Sequence, residues 1–383
     1  MGLAVATIAD PEELVGLEDD WDALVLAQPR PSPFLVHCWA LTWWRHFGEG
    51  ARLAVHVARR DGRLVGVLPL FVRRTRGLRV AEFLGGGTSA LADVLVAPGE
   101  ETEVARALVA QAGADEFDYA DLFGLPGESR LAAAAGKRLR LVERVEAPVL
   151  ELHGGWDAVY AAKTSSKKRN LHRRRRRQLA ELGHLETTVA RSEEELVPAL
   201  EDAFRLHRLR WEGRPDASDF TTPAGMVFHR AAIRELARRD LARIVSLRLD
   251  GRAIAFHYFF VLGRRMVVHH LAFDPSLSRF SPGLVNTLDA IAAASAEGLE
   301  RVEFLGGGER YKLELADSFE PLHQGLGLAR TARGNAVAAA RVGAVVARRR
   351  VKRSERLRRL YYDGLAPLRR RILASRADPN SSR

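Results

Sequence analysis

A chain of 383 residues is long for one hydrophobic core, so two domains is the starting expectation. Hydrophobic content of 47% with 28% charged residues describes a soluble globular protein, no apolar run reaches membrane-span length, and Cys38, the only cysteine, excludes an intrachain disulfide and a cysteine-based zinc site. The net charge of +11 is concentrated in the tail: residues 330–383 carry 16 basic and 3 acidic side chains, while the 43 basic and 45 acidic residues elsewhere leave −2. Fifty-three arginines against six lysines suggest a GC-rich bacterial genome, which lowers the weight of any one arginine as a functional sign. The N-terminus is acidic where a signal peptide would be basic and then apolar, so a cytoplasmic protein is expected.

Residues 1–150 read as a first α/β domain. Trp21-Asp22-Ala23-Leu24 lies on a first helix, and Ser32-Pro33-Phe34 precedes a second on which Trp39 and Trp43 share a face. Two apolar runs flank Asp61-Gly62, a hairpin signal. Strands follow near Val80–Leu84 and Ala92–Val96, then a helix over 101–112 and a strand over 119–123. Asp93 has a structural role as its expected part.

Residues 151–192 predict a basic helical linker. From Lys163 to Arg177 there are nine positive charges and no acid. Ser192 and Glu195 then form a capping-box pattern ahead of a helix whose one face carries Leu196, Leu200, Phe204, His207 and Trp211. A helix over 226–240 completes the approach to the second domain, 193–330.

That domain is organised around Arg243–Lys312. Strands over 244–249 and 253–262 flank Asp250-Gly251, and Gly263-Arg264-Arg265 turns the chain into a third strand ending at Phe273. His269 and His270 are consecutive on it, which predicts opposite faces. Ser281-Pro282-Gly283 opens a helix: the Ser oxygen suits an N-cap, the Pro the first helical position, and the free N–H groups a phosphate. Leu284, Leu288 and Ile291 continue one face, Gly298 ends it, and Arg301–Leu305 is the next strand. Glu303 lies among apolar residues, either as a buried base with a raised pKa or as the partner of an arginine on a neighbouring element. There is no H-x-x-x-H, H-E-x-x-H or calcium loop, so no metal is expected.

This order of hairpin, strand, helix and strand resembles the acyl-donor half of the GNAT-type N-acetyltransferase superfamily. The nearer resemblance is to the CelD-like (cellulose-biosynthesis acetyltransferase-like) family. It rests on Phe273-Asp274-Pro275, Ser281-Pro282-Gly283-Leu284, Glu303 through Glu309, Tyr311-Lys312, and His207-Arg208 with Trp211 upstream, and it covers most of residues 10–330. The resemblance implies tandem GNAT-like domains with mixed, largely antiparallel sheets flanked by helices. It implies an acyl-CoA or acyl-carrier thioester as donor, bound by Phe273, Ser281, Gly283, Leu284 and Lys312. Tyr311 would protonate the leaving thiolate, with Glu303 and His207 as the other catalytic candidates. Trp211, His269 and Glu309 would bind a small or sugar-like acceptor, and the acceptor class points to exopolysaccharide or cell-envelope synthesis. The usual Q/R-x-x-G-x-G/A sequence of these enzymes is absent here.

Two rival readings stand beside this one. The Fem-type aminoacyltransferases share tandem GNAT-like domains and a basic helical element, and would make aminoacyl-tRNA the donor; nucleic acid is otherwise not expected. A non-catalytic scaffold on the membrane surface is the other. It draws on the basic helical tail, 331–383, whose basic and apolar residues over 341–373 alternate as in an interfacial helix and suit peripheral attachment at the inner membrane face.

Overall fold

Two turns fix the registers from which the sheet is built. Asp61 and Gly62 have φ of 51° and 82°, and Asp250 and Gly251 have φ of 49° and 75°. Two consecutive left-handed residues make the type I′ turn, whose twist matches that of the strands it joins. The computed structural model describes residues 2–114, 117–211, 219–307 and 309–353. Its strands are β1 (Leu3–Ile8), β2 (Ala51–Arg60), β3 (Arg63–Thr75), β4 (Leu78–Phe83), β5 (Leu95–Val96), β6 (Tyr119–Pro126) and β7 (Leu139–Glu151) in the first half. The second half contributes β8 (Leu185–Ala190), β9 (Ala242–Leu249), β10 (Arg252–Leu262), β11 (Arg265–Phe273), β12 (Arg301–Glu303) and β13 (Ser318–Gly327). All join one mixed sheet in the order β1-β2-β3-β4-β6-β13-β7-β12-β11-β10-β9-β8, with β5 on β3.

The halves repeat one plan. Each has an antiparallel meander, then a crossover helix (Glu101–Ala114 or Pro282–Ala296), then a parallel strand: β6 beside β4, and β12 beside β11. The long strands are exchanged. β7 leaves the first half to pair with β12, β13 leaves the second to pair with β6, and the two pair with each other. Each half-sheet is thus completed by a strand of the other. The identical hexapeptides beginning at Glu82 and Glu303 sit on β4 and β12, which are not counterparts in the repeat.

The expected linker, 151–192, holds helices Trp156–Lys163 and Ser166–Ala180 but ends in β8, the edge strand of the second half. The capping box forms: Glu195 Oε2 accepts from the Ser192 N–H at 3.1 Å, and Ser192 Oγ from the Glu195 N–H at 3.4 Å. Helix Ala332–Arg353, which opens the expected basic tail, packs Ala338 on Leu78, Val80 and Tyr119 of the first half and on Leu326 of β13. Arg341 pairs with Asp121 at 2.7 Å. Residues 354–373 of the stretch expected at a membrane lie outside the described residues. No described helix is long and apolar enough to cross a membrane.

The core runs through both halves. Trp39, on helix His37–Phe47, is buried against Phe228 of helix Pro223–Arg238 and Phe260 of β10, with ring centroids 5.0 and 5.4 Å away. Truncating such a tryptophan costs about 3–5 kcal/mol.

Candidate active site

β11 and β12 part company. They pair only where Arg265–Val267 faces Arg301–Glu303, so the backbone of Val268 to Phe273 has an edge that β12 does not cover. The chain leaves β11 through Asp274, and helix Pro282–Ala296 begins beside that edge. Ser281 does not cap it by side chain, contrary to expectation: its φ of 53° and ψ of 50° turn the hydroxyl away, and its carbonyl instead accepts from Leu284 and Val285. Gly283 is a close-approach glycine, because a Cβ there would stand 2.7 Å from Cδ1 of Phe273. The Arg210 guanidinium lies over the other part of this arrangement, 4.6 Å from the Phe273 ring. Leu284 lines a groove of about 180 Å³ against Trp156, Tyr160, His172, Arg173 and Arg176. Trp156 stacks on Tyr160, and the Tyr160 hydroxyl meets His172 Nδ1 at 2.6 Å.

The corresponding gap in the first half is filled. The Ala92 N–H donates to the Gly124 carbonyl of β6, and a Cβ on Gly124 would lie 2.7 Å from the Ala90 carbonyl oxygen. Asp93 pins this plug: its carboxylate accepts from Ser129 Oγ at 2.8 Å and from the N–H groups of Val94, Arg130 and Leu131. Burial pushes its pKa up to about 6 against those bonds.

Tyr311 sits in helix Arg310–Leu315, with its ring edge on Phe304 and its hydroxyl toward Thr287 on the helix that opens at Pro282. That hydroxyl is buried without a hydrogen bond, and burial, helped by the Glu309 charge, holds its pKa well above the ordinary phenol value. Lys312, expected to bind the donor, is buried, donates to the Gly306 carbonyl at 2.7 Å and pairs with Glu309 at 3.1 Å. Glu309, expected to touch substrate, is the residue before the helix and carries that pair. His257 on β10 is fully buried, and burial with the Lys312 charge pulls its pKa down to about 3.

Glu303 resolves in favour of the ion pair. Its carboxylate is 1% exposed and receives Arg30 Nε at 3.1 Å, Arg265 Nη1 at 3.0 Å and Arg301 Nε at 3.0 Å. Burial alone would raise the pKa, but Arg30, Arg301 and Arg265 outweigh it and hold the group below the usual glutamate value. A carboxylate so clamped is a poor proton acceptor. The same arginines line a cavity of about 450 Å³ between the halves, together with Glu320 and Asp93.

Over the sheet on the other side of β11 lies a cluster that spacing did not reveal. Tyr258 pairs with His270 and Phe259 with Val268, so His269 is the extra residue of a β-bulge. The bulge cancels the alternation, and His269 and His270 stand together with ring centroids 4.2 Å apart, not on opposite faces. His229 joins them from helix Pro223–Arg238, its Nε2 3.0 Å from Asp219 Oδ2. His270 Nε2 is 3.6 Å from Asp219 Oδ1. His207, from helix Glu193–Trp211, lies 5.5 Å from the His270 ring, and burial takes its pKa down to about 4. Burial likewise lowers His270 to about 3 and His269 well below the usual value. Asp219 is held far below the usual carboxylate range, the bond to His229 and the neighbouring imidazoles outweighing its burial. The expectation for Trp211 falls on the last residue of the helix, whose side chain lies outside the described residues.

A parted parallel pair, a helix opening at the gap and a second half built on the same plan define a large mixed sheet of the tandem GNAT-like kind. Residues 166–313, from the basic helix to just beyond Tyr311, match the family model described as the acetyltransferase (GNAT) domain. No curated protein sequence matches the chain. Among solved structures, FemX is similar with a TM-score of 0.56 at 12% identity, covering 84% of this chain and 97% of that one. L-PGS from Bacillus licheniformis is similar with a TM-score of 0.54 at 12% identity, covering 87% and 97%. A conserved protein of unknown function from Bacteroides thetaiotaomicron VPI-5482 has a TM-score of 0.54 at 14% identity, covering 85% and 100%. At these identities the likeness is one of fold.

Proposed function

We propose that this protein moves an acyl group from a thioester, acyl-CoA or an acyl carrier, to an amine or hydroxyl of a small or sugar-like acceptor. The observation that carries the reading is the uncovered edge of β11 beside the helix at Pro282, with the Tyr311 hydroxyl buried toward Thr287 of that helix. Backbone N–H groups along His269 to Phe273 would polarise the thioester carbonyl, and the start of the helix would receive the donor's phosphates. The acceptor would enter from the histidine side. Its oxygen or nitrogen attacks the carbonyl carbon and gives its proton to His207, which burial keeps neutral. The C–S bond then breaks, and Tyr311 donates its proton to the departing thiolate. Glu303 holds Arg30, Arg265 and Arg301 together and takes no part in proton transfer. The proposed division is domains at 1–150 and 193–330 bridged by 151–192, of which β8 joins the second half's sheet, with the first domain acting as support. The CelD-like resemblance favours an acceptor from exopolysaccharide or cell-envelope synthesis on the cytoplasmic side.

A second reading changes the donor to aminoacyl-tRNA. It is favoured by the stack of Trp156, Tyr160 and His172 beside the arginines of helix Ser166–Ala180, a combination suited to bases and phosphates. Titration with acetyl-CoA and longer acyl-CoAs, with thiol release followed in wild type and Tyr311→Phe, separates the two. Binding with turnover lost in the variant supports the thioester. If no CoA ester binds and tRNA binds with a steep salt dependence, the first reading fails and the second replaces it.

A further inference from the structure

The histidines over the β11 bulge present a donor set for which neither the fold nor the proposed reaction accounts. One nitrogen from each of His229, His269 and His270 lies within 4.8 Å of the others. His229 is bonded through Nε2 to Asp219, and its Nδ1 is buried without a hydrogen-bond partner. His269 Nε2 is buried in the same condition. Buried polar atoms are nearly always bonded, so two orphaned imidazole nitrogens within one three-histidine group mark the place of an ion or a water.

We propose that His229, His269 and His270 bind one divalent ion of the zinc class, with Asp219 orienting His229 from behind. Imidazole nitrogen suits zinc and its late first-row neighbours, whereas magnesium and calcium take oxygen. Asp219 does what a carboxylate behind a metal-bound histidine does: by accepting at Nε2 it fixes the proton there and leaves the Nδ1 lone pair for the ion. Tetrahedral ligands at zinc distances stand about 3.4 Å apart, so the rings must draw together by rotations about their side-chain torsions. Three protein ligands leave a fourth position. The side chains of His270 and Asp219 keep 18% and 24% of their surface, so that position is reachable by water or a bound oxygen, as in catalytic rather than closed structural sites. The ion site does not depend on acyl transfer. If that reading also holds, an acceptor hydroxyl on the ion would lose its proton more readily.

The test uses the purified full chain, stripped with chelator and titrated with Zn²⁺ by calorimetry and with Co²⁺ by visible absorption. Expected are one ion per chain and the intense bands of tetrahedral cobalt. The double variant His229→Gln/His269→Gln should lose both, and Asp219→Asn should bind roughly 10–100-fold more weakly. His153→Gln, at an exposed histidine, should bind as wild type does. Wild type that takes up no stoichiometric ion, or shows only octahedral cobalt, overturns the proposal whether or not the variants fold. Retention of the ion by a folded double variant overturns it too. No acyl donor or acceptor enters the experiment, so failure of the transfer reaction is a separate result.

Discussion

Replacing Glu303 with Gln removes a charge from the centre of three guanidiniums while keeping the side chain's shape. The carboxylate is 1% exposed, and Arg30, Arg265 and Arg301 are 11%, 19% and 19% exposed. Breaking a buried ion pair from one side costs about 3–5 kcal/mol, because the remaining charges stay desolvated. Unfolding entropy of about 2.1 cal/mol/K per residue gives roughly 0.8 kcal/mol/K for the chain, so a loss of about 4 kcal/mol lowers Tm by about 5 °C. The pH dependence has a definite sign. The arginines hold the folded-state pKa below the ordinary 4.5, so the stabilisation is complete above that value and is lost as pH falls through the lower folded one. The gap between wild type and Glu303→Gln should therefore be constant from neutral pH down to about 5 and shrink in stronger acid. Calorimetry and urea unfolding across that range measure it. A Tm change under about 1 °C, with acyl transfer down by about 10²-fold or more, would refute the clamp and restore Glu303 as the base.

Three further outcomes follow from the same geometry. Tyr311→Phe deletes a buried hydroxyl without a partner, so stability should hold while turnover falls about 10²–10⁴-fold with donor affinity retained; a thiol-release assay against calorimetric binding checks the split. Gly283→Ala drives a methyl into the Phe273 ring, and overpacking of this kind costs about 1–3 kcal/mol, read from the urea midpoint alongside a weaker donor titration. Asp93 runs opposite to Glu303 in pH. Burial lifts its pKa from 3.8 to about 6, so the stability it confers is full below the lower value and is lost as pH rises through the higher. A two-unit shift corresponds to about 3 kcal/mol, so the advantage of wild type over Asp93→Asn should shrink by that amount between acid and neutral pH in urea unfolding.

Local chemistry was legible wherever one residue type suits one backbone shape. Asp61-Gly62 and Asp250-Gly251 had to be I′ turns, and the capping box at Ser192 and Glu195 formed as written. The repeated order of elements gave the tandem α/β plan. Partner choice was not legible. Nothing in β7 or β13 says that each completes the other half's sheet, because apolar alternation names a face and not a neighbour. Alternation also sent His269 and His270 to opposite faces, and a single inserted residue undid it. Arg30 lies 273 positions from Glu303 in the chain, and among 53 arginines it carried no sign of its own. Asp219, His229 and the β11 pair have no motif spacing, since a helix, a loop and a strand bring them together. The one available signal was compositional: three of the chain's twelve histidines on the strands β10 and β11.

The two halves share a plan but not a role, and the difference is physical. In the first half, residues 90–92 occupy the space between β4 and β6, and the half-buried Asp93 fastens them there. In the second, β11 and β12 pair only over Arg265–Val267 and Arg301–Glu303, and among the described residues no segment outside the sheet bonds to the backbone of Val268–Phe273. The first half nonetheless reaches the open site three times. It sends β7 to flank β12, Arg30 to hold Glu303 at the end of β12, and Trp39 with Phe34 to wall His269, each ring 5.6 Å away. β12 is only three residues long, too short to hold its own place in a sheet, and what lies on either side decides where it ends and where the gap begins. The strand exchange therefore does more than join two domains: it makes the width of the opening beside β11 a property of the first half.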